Sequence, residues 1–158
     1  MMPLREALEP IAANRGDRVV ITTMSSVGVW PQLSDSARDF HYLPSSMGQG
    51  VSLGLGLCLS RFGLGAIVLT GDGSLLMNLG CLVTVAQYRV PLAIVLLDNG
   101  LYEVTGGQEV PGRGEPISRH WPAAPASTES SPSKAWTNGA RIPLPVSAAT
   151  SRRSSGSR

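Results

Sequence analysis

At 158 residues and 42% apolar content, the chain is long enough for one ordinary domain with a real core, and an aromatic share of 5% makes that core mostly aliphatic. The net charge of +2 is unevenly held: residues 1–108 carry six Lys/Arg against eight Asp/Glu, and residues 109–158 carry seven against three. The basic balance therefore belongs to the last third and gives no ground for nucleic-acid binding by the folded part.

The elements follow in chain order. Residues 3–14 read as a short helix, with Pro3 suited to its first turn, Leu4, Leu8 and Ile11 on one face and Gly16 as its stop. The stretch before it and through it, MPLREALEPIAANRGDR, has charges and no long apolar core, so it is not read as a leader. RVVITTM, residues 18–24, is a short β-branched run and reads as a strand. SSVGVWPQLSDSARDF reads as a loop with at most a helical turn. Ser45 and Ser46 can cap a helix beginning near Met47. That helix contains Gly48, Gly50, Gly54 and Gly56, each costing about 1 kcal/mol relative to alanine, which implies close approach by another backbone or a ligand. GAIVLTGDG then reads as a strand buried on both faces, SLLMNLGCLVTVAQYR as a helix and VPLAIVLLDNG as a second buried strand. Cys58 and Cys81 fall inside apolar helical patterns, make no metal-type spacing and read as small buried hydrophobes. No apolar run reaches the roughly 18 residues of a bilayer span. The expectation is a soluble, cytoplasmic protein with neither membrane nor nucleic acid as partner.

The alternation of strand, helix, buried strand, helix and buried strand predicts an α/β fold: a parallel sheet with helices on both faces. The character changes after Gln108. Residues 109–158 hold seven of the twelve prolines and ten serines, without apolar periodicity. They are expected to form a low-complexity, disordered tail, and the abruptness of the change suggests a frame shift or mis-assembled end.

Ligands of parallel sheets bind outside the carboxyl ends of the strands. Two expected strands end in polar tips, TGDGS and DNGLY, which place Asp72 at one and Asp98 and Asn99 at the next. A carboxylate and an amide oxygen facing one point suit Mg²⁺ or Ca²⁺ rather than zinc. Gly71 and Gly73 let a bulky anion approach the backbone, and a helix starting near Ser74 offers free N–H groups. Together these suggest a metal-bridged diphosphate. Taken alone, Gly-Asp-Gly is also an ordinary turn sequence, as is Asn-Gly. Neither the G-x-G-x-x-G fingerprint nor a P-loop is present.

GDGSLLMN followed by LDNG, with Asn99 placed 27 residues after Asp72, resembles the two-part signature of thiamin-diphosphate-dependent enzymes. TTMSSVGVWPQLSD, FHYLPSSMGQG and LDNGLYEVTGGQ are similar to the small subunit, or C-terminal half, of sulfopyruvate and phosphonopyruvate decarboxylases. The similarity spans roughly residues 15–108. It implies a thiamin-diphosphate-binding fold over residues 1–108, truncated at its C-terminal end by the tail. It implies Mg²⁺ held by Asp72, Asn99 and the backbone carbonyl of Leu101, and a diphosphate against Gly71, Gly73 and Ser74. It also implies a backbone contact from Ser45 to the aminopyrimidine, and Met47 as the wedge that bends the cofactor. The plainer reading of Met47 is core filler. Asp98 stands where the family commonly has a first Asn, and lies outside the ligand pattern.

The implied activity is decarboxylation of a small 2-oxo acid. The glutamate that activates the cofactor belongs, in this family, to a pyrimidine-binding domain, and no stretch here could form a second α/β domain. The resemblance therefore implies a partner subunit that carries the pyrimidine-binding half. Other readings are a truncated, inactive cofactor-binding fragment, an acetolactate-synthase-like carboligase subunit, and a receiver-type binding module. The last lacks acids at the end of VVITTMSS. His41 and Glu103 are further candidates near the site, to face substrate and to support the metal loop, against plainer roles as a hydrogen-bonded histidine and a solvated carboxylate.

Overall fold

The computed structural model describes residues 2–44, 46–61 and 63–113, together with the backbone of residues 136–137. The elements are α1 (Leu4–Asn14), β1 (Val19–Thr22), α2 (Ser26–Val29), a 3₁₀ turn (Trp30–Gln32), β2 (Asp39–His41), α3 (Gly50–Ser60), β3 (Ala66–Gly71), α4 (Asp72–Leu76) and α5 (Gly80–Gln87). After these come β4 (Leu92–Leu97), β5 (Leu101–Tyr102), a second 3₁₀ turn (Glu103–Thr105), β6 (Gln108–Glu109) and β7 (Trp136–Thr137).

The sheet has the order β2-β1-β3-β4-β7. Its first four strands are parallel, as the alternation predicts, and β7 pairs antiparallel with β4. Successive residues of a strand face opposite sides, and β3 divides its side chains accordingly. Ala66 and Val68 join Ile21, Val51, Leu55, Cys58, Leu75, Cys81, Val85 and Leu92 under α3 and α5. Ile67 and Leu69 join Leu8, Ile11, Val20, Trp30 and Ala93 under α1 and the first 3₁₀ turn. Both cysteines are free and buried, and burial pushes their thiols up from the ordinary range. No helix among the described residues is long and apolar enough to cross a membrane.

The glycines of α3 have a clear use. A Cβ at Gly54 would stand 2.5 Å from Val68 Cγ2 and 2.9 Å from Leu92 Cδ1, and one at Gly50 would stand 2.8 Å from Thr23 Cγ2. The close neighbours at these two positions are therefore side chains of the sheet and of Thr23, which follows β1. Gly56 has nothing within 4 Å of a Cβ.

Three expectations are corrected. The stretch read as a loop runs into β2, paired in parallel with β1 through Val20↔Asp39 to Thr22↔His41. The cofactor-side helix begins at Gly50 rather than Met47. The single helix expected over residues 74–89 starts at Asp72 and is broken between α4 and α5. Asn78 sits in the break, where its side-chain N–H donates to the Gly48 carbonyl at 3.0 Å.

The described chain also runs five residues past Gln108. Glu109 pairs with Leu101 in the β5–β6 ladder. Val110 is 4% exposed, and its N–H donates to the Gly100 carbonyl at 3.0 Å. The rest of the tail, other than 136–137, lies outside the described residues.

At the amino-terminal ends of β1 and β2, across the sheet from the site, Arg15 and Asp39 form an ion pair with side-chain exposures of 9% and 4%. Arg15 also donates to Ser34 Oγ and to the Arg18 carbonyl, each at 2.9 Å. Asp39 Oδ2 accepts from the Ser34 hydroxyl at 2.6 Å and the Ser36 N–H at 3.0 Å. Burial would raise the Asp39 carboxyl, but these hydrogen bonds, led by Ser34, outweigh it and hold the group below its ordinary value. This network ties β2 to the end of α1.

Candidate functional site

β3 and β4 run in register, with Gly71 opposite Leu97. Asp72 and Asn99 therefore leave the sheet from adjacent strands, spaced by about 4.8 Å across the ladder. This is the meeting of polar tips that the two strand patterns predict. Asp72 is 2% exposed. Its Oδ2 accepts the Gly100 N–H at 2.9 Å, so the carboxylate also holds the turn that follows β4. Gly100 has φ +71°, a conformation suited to glycine. Asn99 Oδ1 accepts the Leu101 N–H at 2.9 Å, an Asx-type turn that fixes the next residue.

A recess of about 360 Å³, including its open mouth, lies over these tips. Met47, Gly71, Asp72, Gly73, Ser74, Asn99 and Leu101 all line it. Seven of the eight candidates thus share one space, and the eighth, Ser45, lies outside the described residues.

Met47 reaches the recess because its loop is fastened to α4. The Gly48 N–H donates to Ser74 Oγ at 3.0 Å, and the Gly48 carbonyl accepts from Asn78. Both backbone groups of one residue are satisfied from the first turns after β3. Gly48 has φ +80°, and a Cβ there would stand 2.9 Å from Asn78 Cβ, so only glycine makes this approach without strain. The break between α4 and α5 is what places Asn78 to serve it. Gly73 likewise has a steric reason to be glycine: a Cβ would meet the Tyr102 ring at 2.6 Å and Val110 Cγ2 at 3.2 Å.

The opposite wall comes from Met24, Ser25 and the segment from Tyr102 to Thr105. Met24 has φ +51°, a left-handed conformation uncommon outside glycine, at the point where the chain leaves β1. Ser25 Oγ donates to Glu103 Oε2 at 2.6 Å. These residues lie within TTMSSVGVWPQLSD and LDNGLYEVTGGQ, but of this wall the sequence singles out Glu103 alone as a candidate. His41 is not on the lining; its Nδ1 lies 3.0 Å from Thr22 Oγ1.

Burial, and the Asp72 carboxylate beside it, push the Asp98 carboxyl above its ordinary value. No cluster of three His, Cys, Asp or Glu side chains occurs among the described residues. A metal here would take one carboxylate plus amide and carbonyl oxygens, a donor set that suits a hard ion such as Mg²⁺. The residues present therefore fit an oxygen-ligated cation with an anionic group beside it.

Comparison with known proteins gives the family. Residues 25–131 match the model of the C-terminal TPP-binding domain of thiamine pyrophosphate enzymes. Subunit beta of sulfopyruvate decarboxylase from Methanothermobacter thermautotrophicus is 45% identical over 114 residues, covering 68% of this chain and 58% of that protein. Its counterpart from Methanocaldococcus jannaschii is 38% identical over 116 residues, covering 69% and 59%. Phosphonopyruvate decarboxylase of Streptomyces viridochromogenes is 39% identical over 105 residues, 65% of this chain and 26% of that one. The chain thus spans less than two thirds of the length of these relatives. A solved structure from Mycobacterium smegmatis, classed as a thiamin diphosphate-dependent enzyme, superposes with a TM-score of 0.58 at 24% identity, over 70% of this chain and 23% of that one. It supports the fold.

Proposed function

The chain belongs to the thiamine pyrophosphate enzymes, through their C-terminal TPP-binding domain, and from that premise we propose that it is the Mg²⁺- and diphosphate-binding half of a 2-oxo acid decarboxylase. The observation that carries this reading is the convergence of Asp72, Asn99 and Met47, from three separate segments, on one recess. In it, Asp72, the Asn99 amide oxygen and the Leu101 carbonyl hold Mg²⁺, and Gly71, Gly73 and Ser74 receive the diphosphate. Ser45 is assigned the backbone contact to the aminopyrimidine.

When bound, thiamin diphosphate would supply a nucleophilic carbon for the keto group of the substrate and an electron sink for the bond to carbon dioxide. The residues of this chain bind and orient. Asp72, buried and already hydrogen-bonded to Gly100, presents its charge without reorganising. Met47, on a loop held at both backbone groups of Gly48, is a fixed apolar surface against which a flexible molecule must bend.

The pyrimidine side of the site, with its activating glutamate, is assigned to a partner subunit. The names of the two archaeal relatives, each a subunit beta, support this, and their decarboxylase activity supports the reaction class. The substrate is a small 2-oxo acid of the sulfopyruvate or phosphonopyruvate kind.

The test is calorimetric titration of Mg²⁺ and thiamin diphosphate into the full chain co-expressed with a pyrimidine-domain subunit. Asp72→Ala is expected to remove Mg²⁺-dependent cofactor binding. Undiminished binding by that variant would refute the metal assignment.

A further inference from the structure

Glu103 stands at the rim of the recess and joins two parts of the chain that are distant in sequence. Its Oε2 accepts the Ser25 hydroxyl at 2.6 Å, across 78 residues, and the Asn99 side-chain N–H at 3.4 Å. All three residues line the recess. The second bond has a chemical consequence. A carboxamide has one donor end and one acceptor end. With its NH₂ drawn to a carboxylate, the Asn99 amide turns Oδ1 away from that carboxylate, and Oδ1 accepts the Leu101 N–H at 2.9 Å. Turned the other way, the amide oxygen would face Glu103 Oε2 with no proton between two acceptors, and the NH₂ would face the Leu101 N–H with none to accept it.

We propose that Glu103 is a positioning residue: it fixes which end of the Asn99 amide is offered as an oxygen, and through Ser25 it ties the segment after β5 to the end of β1. Mg²⁺ takes oxygen and not an amide nitrogen, so a carboxylate that dictates the amide's orientation preselects the ligand before the ion arrives. The inference rests on the reading of Asn99 as an oxygen ligand, but its structural half concerns the metal-free chain.

Both bonds use one oxygen of Glu103, so glutamine can replace it with its own carbonyl oxygen and alanine cannot. Hydrogen exchange at the Leu101 amide in the metal-free full chain reads the orientation, because that N–H is held by Asn99 Oδ1. Glu103→Ala is expected to speed this exchange roughly 3- to 10-fold, the range for loss of one ordinary hydrogen bond. Glu103→Gln is expected to stay within about twofold of wild type. Unchanged exchange in Glu103→Ala, or equal acceleration in both variants, overturns the proposal. In the complex with its partner subunit, the apparent Mg²⁺ affinity in the presence of thiamin diphosphate is expected to weaken by a similar factor in Glu103→Ala and to return in Glu103→Gln. Failure of the alanine variant to weaken it also overturns the proposal. Asp72→Ala separates the two readings: if Mg²⁺ affinity survives that change, the metal site is wrong, while the Leu101 exchange still decides the role of Glu103.

Discussion

Gly54 and Gly56 lie two residues apart in one helix, and alanine should act on them with opposite sign. At Gly54 the added Cβ meets Val68 Cγ2 at 2.5 Å and Leu92 Cδ1 at 2.9 Å. Leu92 has a flexible end that can turn. Val68 does not, since it is β-branched, 0% exposed and on the central strand β3. Overpacking of this kind costs about 1–3 kcal/mol, against which the better helix propensity of alanine returns about 1 kcal/mol. The net expectation is a loss of up to about 2 kcal/mol, toward the upper end because Val68 has no room to turn. At Gly56 no atom lies within 4 Å and the position is exposed, so only the propensity term remains and the variant should gain about 1 kcal/mol. Urea unfolding of the two variants beside wild type measures this. With a slope of about 2 kcal/mol per molar, the two midpoints should fall on opposite sides of the wild-type value and differ by roughly 0.5–1.5 M. If Gly54→Ala unfolds at or above the wild-type midpoint, the claim that this helix keeps its glycine for contact with the sheet is refuted.

Two further expectations concern the loop and the edge of the sheet. Gly48→Ala forces a left-handed conformation worth roughly 1–2 kcal/mol and a clash with Asn78, so its urea midpoint should fall and thiamin diphosphate binding should weaken with it; a wild-type midpoint would count against the anchored loop. Asp39→Asn removes one partner of a buried ion pair and should cost about 3–5 kcal/mol at neutral pH. Because the folded Asp39 titrates below its unfolded value, its contribution is complete above the ordinary carboxylate range and is lost as pH falls through the folded value. Stability of the wild type measured from pH 7 to pH 2 should therefore drop more steeply on the acid side than that of Asp39→Asn, and parallel profiles would contradict the assignment.

Much of the candidate site is legible in the sequence because its residues sit at the ends of elements with strong patterns. The continuous apolar runs that became β3 and β4 predict two buried parallel strands, and parallel neighbours bring their carboxyl ends, with Asp72 and Asn99, to one rim. What the pattern misses is short or depends on a distant partner. β2 has three residues and no measurable period, and it is held by pairing with β1 and by the link from Arg15 to Asp39. The break after Leu76 is hidden because Met77 and Leu79 continue the apolar run. Asn78 interrupts the helix in favour of Gly48, 30 residues upstream. The left-handed turn at Met24 has no glycine to announce it, so the wall formed by Met24 and Ser25 is invisible until β1 is placed beside β3. Composition also draws the boundary after Gln108 too early, since Val110 looks like part of a polar tail yet packs beside Gly73 and Tyr102.

The attachment of Gly48 has a consequence for how the site comes into being. The segment that carries Met47 precedes β3 in the chain, yet both groups that hold it, Ser74 Oγ and Asn78 Nδ2, are supplied 26 and 30 residues later. Its shape is therefore a product of the strand and helix that follow. A polypeptide released before residue 74 would contain Met47 without either mooring, and a change at Asn78, which does not line the recess, would be felt at Met47, which does.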